Sequence, residues 1–356
     1  MTVVNVRTQQ PAPLIVDLFA GPGGWSQGIR EHLGLTDVGL ELDWAACRTR
    51  AAAGHHTIQC DVTRYPTAPF CGRITGSINS PVCTPWSRAG KRLGLVDQPL
   101  VHQAVHDLAN GRDTRAEILT ACKDPQSLLA AEPMRWLHDL RPEWVAMEQV
   151  PDVLPLWKHY AIYLRDWGYS VWCGELNAAD YGVPQTRRRA VLIASRVRAV
   201  SPPAPTHAEH AEDSGLFGAP RARWVTMGEA LALLDGVDRP SWALTEKTRS
   251  WLLRNGNQPN AAIRSEHQPA PTMAFGHNAA RIEWIREHPA TTPETVRIST
   301  AEAAVLQSFP ADYPWHGTKT KRFEQIGNAV PPLLAAHVVA AATGLSLSVS
   351  DAGEAA

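Results

Sequence analysis

Short apolar segments alternating with helix-prone ones leave this chain few architectures to adopt. Val16 to Phe19 reads as a buried strand, followed by a glycine-rich turn and a helical pattern from Ser26 to Leu33. Val38 to Leu42 reads as a second strand, and the alanine-rich stretch Ala45 to Ala53 favours helix. Thr57 to Val62 and Ile74 to Asn79 read as the third and fourth strands. Farther on, Leu128, Leu129, Met134, Leu137 and Leu140 fall at helical spacing, and Trp144 to Val150 and Ala190 to Ala194 read as strands. Such alternation predicts an α/β fold with an open, mostly parallel sheet. A sheet of that kind binds ligands outside the carboxyl ends of its strands. The glycine turn, Glu41, Asp61 and Cys83 all fall at such ends. With 356 residues, 44% of them hydrophobic, the chain can fill a large core and a smaller second one.

The alternation stops at Ser201-Pro202-Pro203-Ala204-Pro205, which reads as a rigid linker. From there to about Arg297 the periodicity is poor and Pro, Asn, Arg and Trp are frequent, as in a separate small domain or a large insertion. Order returns with a helix from Ser299 to Leu306, capped by Ser299 or Thr300 with Glu302 close behind. A final apolar helix is predicted from Pro331 to Ala342, and a frayed tail from Ser346. No run of about 18 uncharged apolar residues argues for a membrane span. Met1 to Pro13 lacks the basic and apolar sequence of a secretion signal. The six cysteines form no Cys-x-x-Cys pair and no zinc spacing with histidine, so they read as reduced thiols of a cytoplasmic protein without a metal. A net charge of −1 gives no global signature of nucleic-acid binding.

Several segments carry chemistry. Cys83 sits in Ser80-Pro81-Val82-Cys83-Thr84-Pro85-Trp86-Ser87, directly after a strand. Most lone cysteines are small core residues, but flanking prolines restrict the backbone and display this thiol at a loop start, as a nucleophile requires. Asp17 to Gly24 is a strand-to-helix turn with three glycines, which lets a ligand approach the backbone, although its spacing is not Gly-x-Gly-x-x-Gly. Glu41 at the second strand end suits ribose hydroxyls, and Asp61 can accept from an adenine amino group, so an adenosine-containing cofactor fits. Glu148 ends a strand and can lie beside the cysteine. In Gln185-Thr186-Arg187-Arg188-Arg189, alternation puts Arg187 and Arg189 on one face and Arg188 on the other. Gln325 to Pro332 forms a turn into the last helix.

Taken in order, these segments resemble the DNA (cytosine-5) methyltransferases, from about Val16 to Ala342 with only the middle region unmatched. The resemblance rests on Asp17–Gly24, the Pro-Cys loop at Cys83, Glu148, Asp180-Tyr181-Gly182-Val183-Pro184-Gln185-x-Arg187-x-Arg189, the Leu306 to Tyr313 stretch and Gln325 to Pro332. It implies a Rossmann-like sheet that uses S-adenosylmethionine, with a smaller, irregular target-recognition domain. The implied division is a catalytic and cofactor domain over 1–195, recognition over 196–296, a closing catalytic part over 297–345 and a tail over 346–356. Phe19, Ala20, Gly21, Gly23, Gly24, Glu41, Leu42, Asp61, Val62, Pro81, Asn328 and Ala329 are the implied cofactor residues. Cys83 is the implied nucleophile at C6 of a flipped-out cytosine. Protonated Glu148 is expected on N3 and the amine, Arg189 on O2, and Arg187 in support of Glu148 or its loop. Ser87, Arg88, Lys91, Arg92, Arg221, Arg223, Arg249, Arg254 and Thr272 are the implied DNA contacts, with Asn255 and Asn257 as further readers. Double-stranded DNA is the implied partner, with room for a cognate restriction endonuclease on a separate chain; a membrane, a metal and oligomerisation are not expected. Val82, Thr84 and Gln149 depart from the family pattern and bear on rate and substrate geometry more than on reaction class. The alternatives are a non-catalytic or regulatory DNA-binding relative and an RNA cytosine-5 methyltransferase.

Overall fold

The chain folds back across its own first strand. In the computed structural model, which describes residues 14–87, 91–211, 220–232, 252–256, 261–273, 282–286 and 294–348, β1 (Leu14–Leu18) pairs in parallel with β2 (Val38–Glu41), and β2 with β3 (His56–Gln59). The chain then returns to the other side of β1 to lay down β4 (Ile74–Asn79) and β5 (Trp144–Gln149), again parallel. The two remaining strands of the sheet, β6 (Ser170–Asn177) and β8 (Arg188–Ser195), join antiparallel; the short β7 (Gln185–Thr186) stands before β8 outside the sheet. The sheet order is therefore β3-β2-β1-β4-β5-β8-β6, with a switch point between β1 and β4. The loops after those two strands, which carry the glycine turn and Cys83, thus lie side by side at the place where such sheets bind ligands.

Helices cover both faces of the sheet, as an α/β layer architecture requires. On one face α3 (Leu93–Ala109), α5 (Glu132–Leu140) and α6 (Leu154–Asp166) bury Val101, Val105, Leu137, Leu156 and Trp157 against Val145 and Leu192; the short α4 (Arg115–Leu119) precedes α5. On the other face α1 (Gly24–Leu33) and the last helix pack together over Ile78, Ala146 and Val191. Between β2 and β3, α2 (Trp44–Ala52) delivers Arg50 into the interior, with Nη2 3.1 Å from Asp37 and Nη1 3.6 Å from Asp17 of β1. Burial and the neighbouring Asp37 push the Asp17 carboxyl well above its usual range, while Arg50 offsets part of that.

Two expected elements end differently. The third strand stops at Gln59, so Asp61 stands in the turn beyond it. The predicted helix over 127–140 starts only at Glu132, with Pro133 in its first turn; the residues before it, Pro125–Ala131, form a tighter 3₁₀ turn.

The middle of the chain is less irregular than the sequence suggests. Its described residues include a parallel pair, β9 (His207–Ala208) with β10 (Ala222–Arg223), and a helix α7 (Met227–Ala232). They also include an antiparallel sheet of β11 (Leu252–Asn255), β12 (Ala262–Ser265), β14 (Ile282–Arg286) and β15 (Glu294–Arg297), in the order β12-β11-β14-β15. Between them β13 (Ala270–Pro271) pairs with β7. The chain then forms α8 (Thr300–Val305), capped by Ser299 in a reciprocal capping box with Glu302. Buried Trp284 of β14 donates from Nε1 to Glu302 at 2.9 Å, tying that sheet to α8. Helices α9 (Lys319–Asn328) and α10 (Pro332–Thr343) finish the fold. Lys319–Thr343 is long and apolar enough to cross a membrane by composition, but 72% of its most apolar 18-residue window is buried inside the protein, as in a core helix. All six cysteines are free thiols.

The seam between α1 and α10 depends on Gly28. A Cβ built there would stand 2.0 Å from the Pro332 carbonyl oxygen, a backbone atom that no rotamer can move aside. We expect Gly28→Ala to destabilise the protein by at least about 1–3 kcal/mol, the usual range for overpacking, read as a lowered urea midpoint at unchanged slope. An unchanged midpoint would show that the seam yields freely.

Candidate active site

At the switch point a cavity of about 660 Å³ opens between the ends of β1, β2, β4 and β5 and the turn from α9 into α10. Its volume is in the range of small-molecule sites. One half is built by the glycine turn and Glu41. Glu41 is held by three backbone N–H donors: Gly21 at 2.8 Å on Oε2, and Leu42 at 2.8 Å and Asp43 at 2.7 Å on Oε1. This fixes a carboxylate on the wall and leaves Oε2 a free lone pair for a ligand hydroxyl. Asp61 accepts on Oδ1 from Thr63, both backbone and hydroxyl, while Oδ2 is 3.6 Å from the exposed Arg64. The turn itself is forced. Phe19 and Gly23 both have left-handed backbones, at φ 58° and 101°, and Gly23 leads straight into α1. Tyr313 donates its hydroxyl to the Pro22 carbonyl at 2.6 Å, and burial pushes that phenol far up, so it stays a donor.

The other half carries the thiol and three charges. Half-buried Cys83 opens a tight turn in which Trp86 and Ser87 donate to its carbonyl at 3.0 and 2.9 Å. Burial raises its thiol above the usual range and nearby Glu148 adds to that, while Arg189 and Arg187 pull it down. Glu148 accepts from Arg189 Nε at 2.7 Å. Arg187 is 2% exposed and donates from Nη2 to the carbonyls of Gly327 at 2.9 Å and Ala329 at 3.2 Å, while its Nε and Nη1 have no hydrogen-bond partner. Burial, with repulsion from Arg189, lowers Arg187 to about 9, against the attraction of Glu148 and Cys83. Gln149 bridges the Cys83 loop and the end of β5, donating to the Pro81 carbonyl at 2.6 Å and accepting from Val150 N–H at 2.6 Å.

The cavity wall thus unites Cys83, Glu148, Arg187 and Arg189 with Phe19, Ala20, Gly21, Gly24, Glu41, Leu42, Asp61, Val62, Pro81, Asn328 and Ala329. Gly23 is not on that wall; it shapes the turn from behind, against His55 and Tyr313. Arg189, expected on O2 of the base, here partners Glu148, and Arg187, expected in support of Glu148 or its loop, holds the Gly327 and Ala329 carbonyls. Alternation fixed the shared face but not which guanidinium reaches which partner. Sequence reasoning missed Trp44, Gln126 and Lys321 on the wall, which come from a helix start, a 3₁₀ turn and α9 with no local motif.

The expected DNA contacts are more scattered. Ser87 adjoins the Cys83 turn and Lys91 is exposed before α3. Arg92 is paired with Asp152 at 3.1 Å, joining the Cys83 loop to the segment after Glu148. Arg223 pairs with Glu229 and Arg254 with Glu283, so both have carboxylate partners within the chain. Thr272 turns its hydroxyl inward, donating to the Thr186 carbonyl at 2.8 Å, and Asn255 donates to the Thr272 carbonyl at 2.8 Å. Arg221 is half-buried. Arg88, Arg249 and Asn257 lie outside the described residues.

Residues 116–343 match the profile of the C-5 cytosine-specific DNA methylase family. The chain is 28% identical to the type II methyltransferase M1.HphI of Haemophilus parahaemolyticus over 357 positions, covering 92% of this chain and 85% of that protein. It is 26% identical to the type II methyltransferase M.NgoFVII of Neisseria gonorrhoeae, covering 93% and 86%. Among solved structures, the methyltransferase EhMeth of Entamoeba histolytica shares the fold with a TM-score of 0.61 at 12% identity, covering 94% of this chain and 99% of that one.

Two outcomes follow from the geometry. Because Cys83 is raised, its alkylation by iodoacetamide should climb from about pH 7 to about pH 9 without a plateau, since the thiolate is the reacting form. Cys47 and Cys60, raised to about 11, give slower internal references in the same peptide mass spectra. A plateau near neutral pH would contradict the raised thiol. Tyr313→Phe keeps the ring packing and loses the donor on Pro22, so the urea midpoint should fall by the equivalent of about 0.5–1.5 kcal/mol, one modest hydrogen bond. An unchanged midpoint would mean the turn holds its shape unaided.

Proposed function

Because the chain belongs to the C-5 cytosine-specific DNA methylase family, and is thereby a DNA cytosine-5 methyltransferase, we propose that it transfers a methyl group from S-adenosylmethionine to C5 of cytosine in a specific double-stranded DNA sequence. The observation that carries this reading is the meeting of a thiol, the Glu148–Arg189 pair and an anchored strand-end carboxylate in one cavity. The residues present fit S-adenosylmethionine: the glycine turn offers close backbone approach, Glu41 an oriented acceptor for ribose hydroxyls, and Asp61 Oδ2 an acceptor for the adenine amine. Bound there, it supplies an electrophilic methyl group.

In this reading Cys83 Sγ attacks C6 of the flipped base as the thiolate, which makes C5 nucleophilic. Arg189 and Arg187 pull the thiol toward the thiolate, against the burial that raises it. Glu148 has one oxygen on Arg189 and the other left to carry a proton to ring N3, which stabilises the charge that develops there. Arg189 has further N–H groups beyond those on Glu148 and on the Arg188 carbonyl, and these serve O2. After methyl transfer a base removes the C5 proton and the Cys83–C6 bond breaks, returning the thiolate. Residues 196–296 act as the recognition module, and the type II names of the relatives support a restriction–modification role with an endonuclease on another chain.

Bisulfite sequencing of host DNA after expression tests the base, the carbon and the site together. We expect one recurring sequence context to become protected, and Cys83→Ser to abolish protection while leaving S-adenosylhomocysteine binding intact. Protection that persists in Cys83→Ser would overturn the nucleophile. Tritium transfer to RNA and not to duplex DNA would move the activity to the RNA alternative.

A further inference from the structure

Two fully buried glutamines form a hydrogen-bonded run that leaves the active-site cavity and ends in the recognition module. Gln185, in β7, accepts on its side-chain oxygen from the Met273 N–H at 3.3 Å. Its amide nitrogen donates to the Leu306 carbonyl at 3.1 Å and to Gln307 Oε1 at 2.6 Å. Gln307 in turn donates to the Ala329 carbonyl at 2.8 Å. That carbonyl, on the cavity wall, also receives Arg187 Nη2. Both amides are fixed in direction by backbone groups: a backbone N–H at one end and backbone carbonyls along the rest. Neither can flip without leaving buried polar atoms unpaired, which is costly. The recognition end is itself clamped, since β13 pairs with β7, Thr272 donates to Thr186, and Asn255 donates to the Thr272 carbonyl.

We propose that Gln307 is a positioning residue that couples seating of the recognition module on DNA to binding of the cofactor, acting through Gln185 on one side and Ala329 on the other. The proposal rests on the reading above, in which residues 196–296 contact DNA and the cavity beside Ala329 holds S-adenosylmethionine. A shift of the 270–273 segment on DNA pulls on Gln185 and Gln307. It is felt at the Ala329 carbonyl, where the cofactor wall and the Arg187 anchor meet. Buried hydrogen-bonded runs transmit such shifts because their members cannot move singly without losing partners. Coupling of this kind is reciprocal: DNA tightens cofactor binding by the factor with which cofactor tightens DNA binding.

The test measures that factor directly in the full-length protein. Binding of S-adenosylhomocysteine is titrated with and without a duplex carrying the site mapped by bisulfite sequencing. We expect the duplex to tighten binding in the unaltered protein by a factor within the roughly 5–150-fold range of allosteric coupling. Gln307→Met, similar in length and without polar atoms, should bring this factor close to one, with affinity in the absence of DNA changed by no more than about twofold, as coupling without direct contact requires. A purely structural role would instead lower the thermal midpoint and weaken both affinities together, leaving the ratio intact; that outcome overturns the proposal. So does an unaltered protein in which the duplex leaves cofactor affinity unchanged. If Gln307→Met does not fold, Gln185→Met cuts the same run at a position off the cavity wall, and it should lower the ratio in the same direction. An intact ratio there, with both ligands bound, also counts against the coupling. Failure of the unaltered protein to bind either ligand would strike at the functional reading itself, a different result from a lost or kept ratio.

Discussion

The close approach of α1 to the chain's last forty residues is the contact on which the remaining geometry depends. Gly24 and Gly28 lie on the face of α1 toward α10, and a Cβ at either would fall about 2 Å from the carbonyl oxygens of Val330 and Pro332. Two helical segments therefore meet backbone to backbone, across a separation of some three hundred residues in sequence. That contact places Asn328 and Ala329 on the cavity opposite the glycine turn. It also lets Tyr313 reach the Pro22 carbonyl. The central sheet and its cavity are thus closed by both ends of the chain, and residues 196–296 lie between them in sequence without entering the seam.

Arg187 shows what this closure makes available to the chemistry. A buried guanidinium with two unpartnered nitrogens is expensive in isolation. Here the cost is offset in part by two backbone carbonyls at 327 and 329, which exist at that spot only because the C-terminal segment has returned. The resulting cation stands with Arg189 beside Cys83 and works against the burial that raises its thiol. Neither arginine needs to reorganise to supply that field, which is how fixed charges act most strongly in a secluded site. The fold thus converts a packing contact into an electrostatic one.

What could be read from the chain beforehand divides along physical lines. Strands β1, β2, β4, β5 and β8 are apolar runs bounded by turn residues, and their carboxyl ends announced the site. Alternation placed Arg187 and Arg189 on one shared face, which proves to be the buried one, and Ser299 with Glu302 marked a helix start. Helix α3 was less visible because Pro99 interrupts it, even though Val101, Ala104, Val105 and Leu108 recur at helical spacing. The partners of the arginines were not legible at all. Arg92, Arg223 and Arg254 found carboxylates at 152, 229 and 283, and such pairings depend on which loops and strands become neighbours in space. Thr272 likewise serves the β7–β13 junction, a parallel pairing of two-residue strands too short to leave a periodic signal.

The departures from the family pattern acquire a physical meaning at the same level. Gln149 follows Glu148 at the end of β5, and β5 lies beside β4, whose end carries the Cys83 loop. Its side chain spans the gap between these strand ends and donates to the Pro81 carbonyl, two residues before the nucleophile, while its oxygen caps the Val150 N–H. The additional methylene relative to asparagine provides reach across the sheet, and burial at 1% exposure keeps water from competing for either bond. Val82 and Thr84 flank the thiol on the cavity wall. The end of β5 is therefore tied to the Cys83 loop by a neutral buried amide rather than by a charged pair, so the relative placement of Glu148 and Cys83 rests on a bond that neither of them makes.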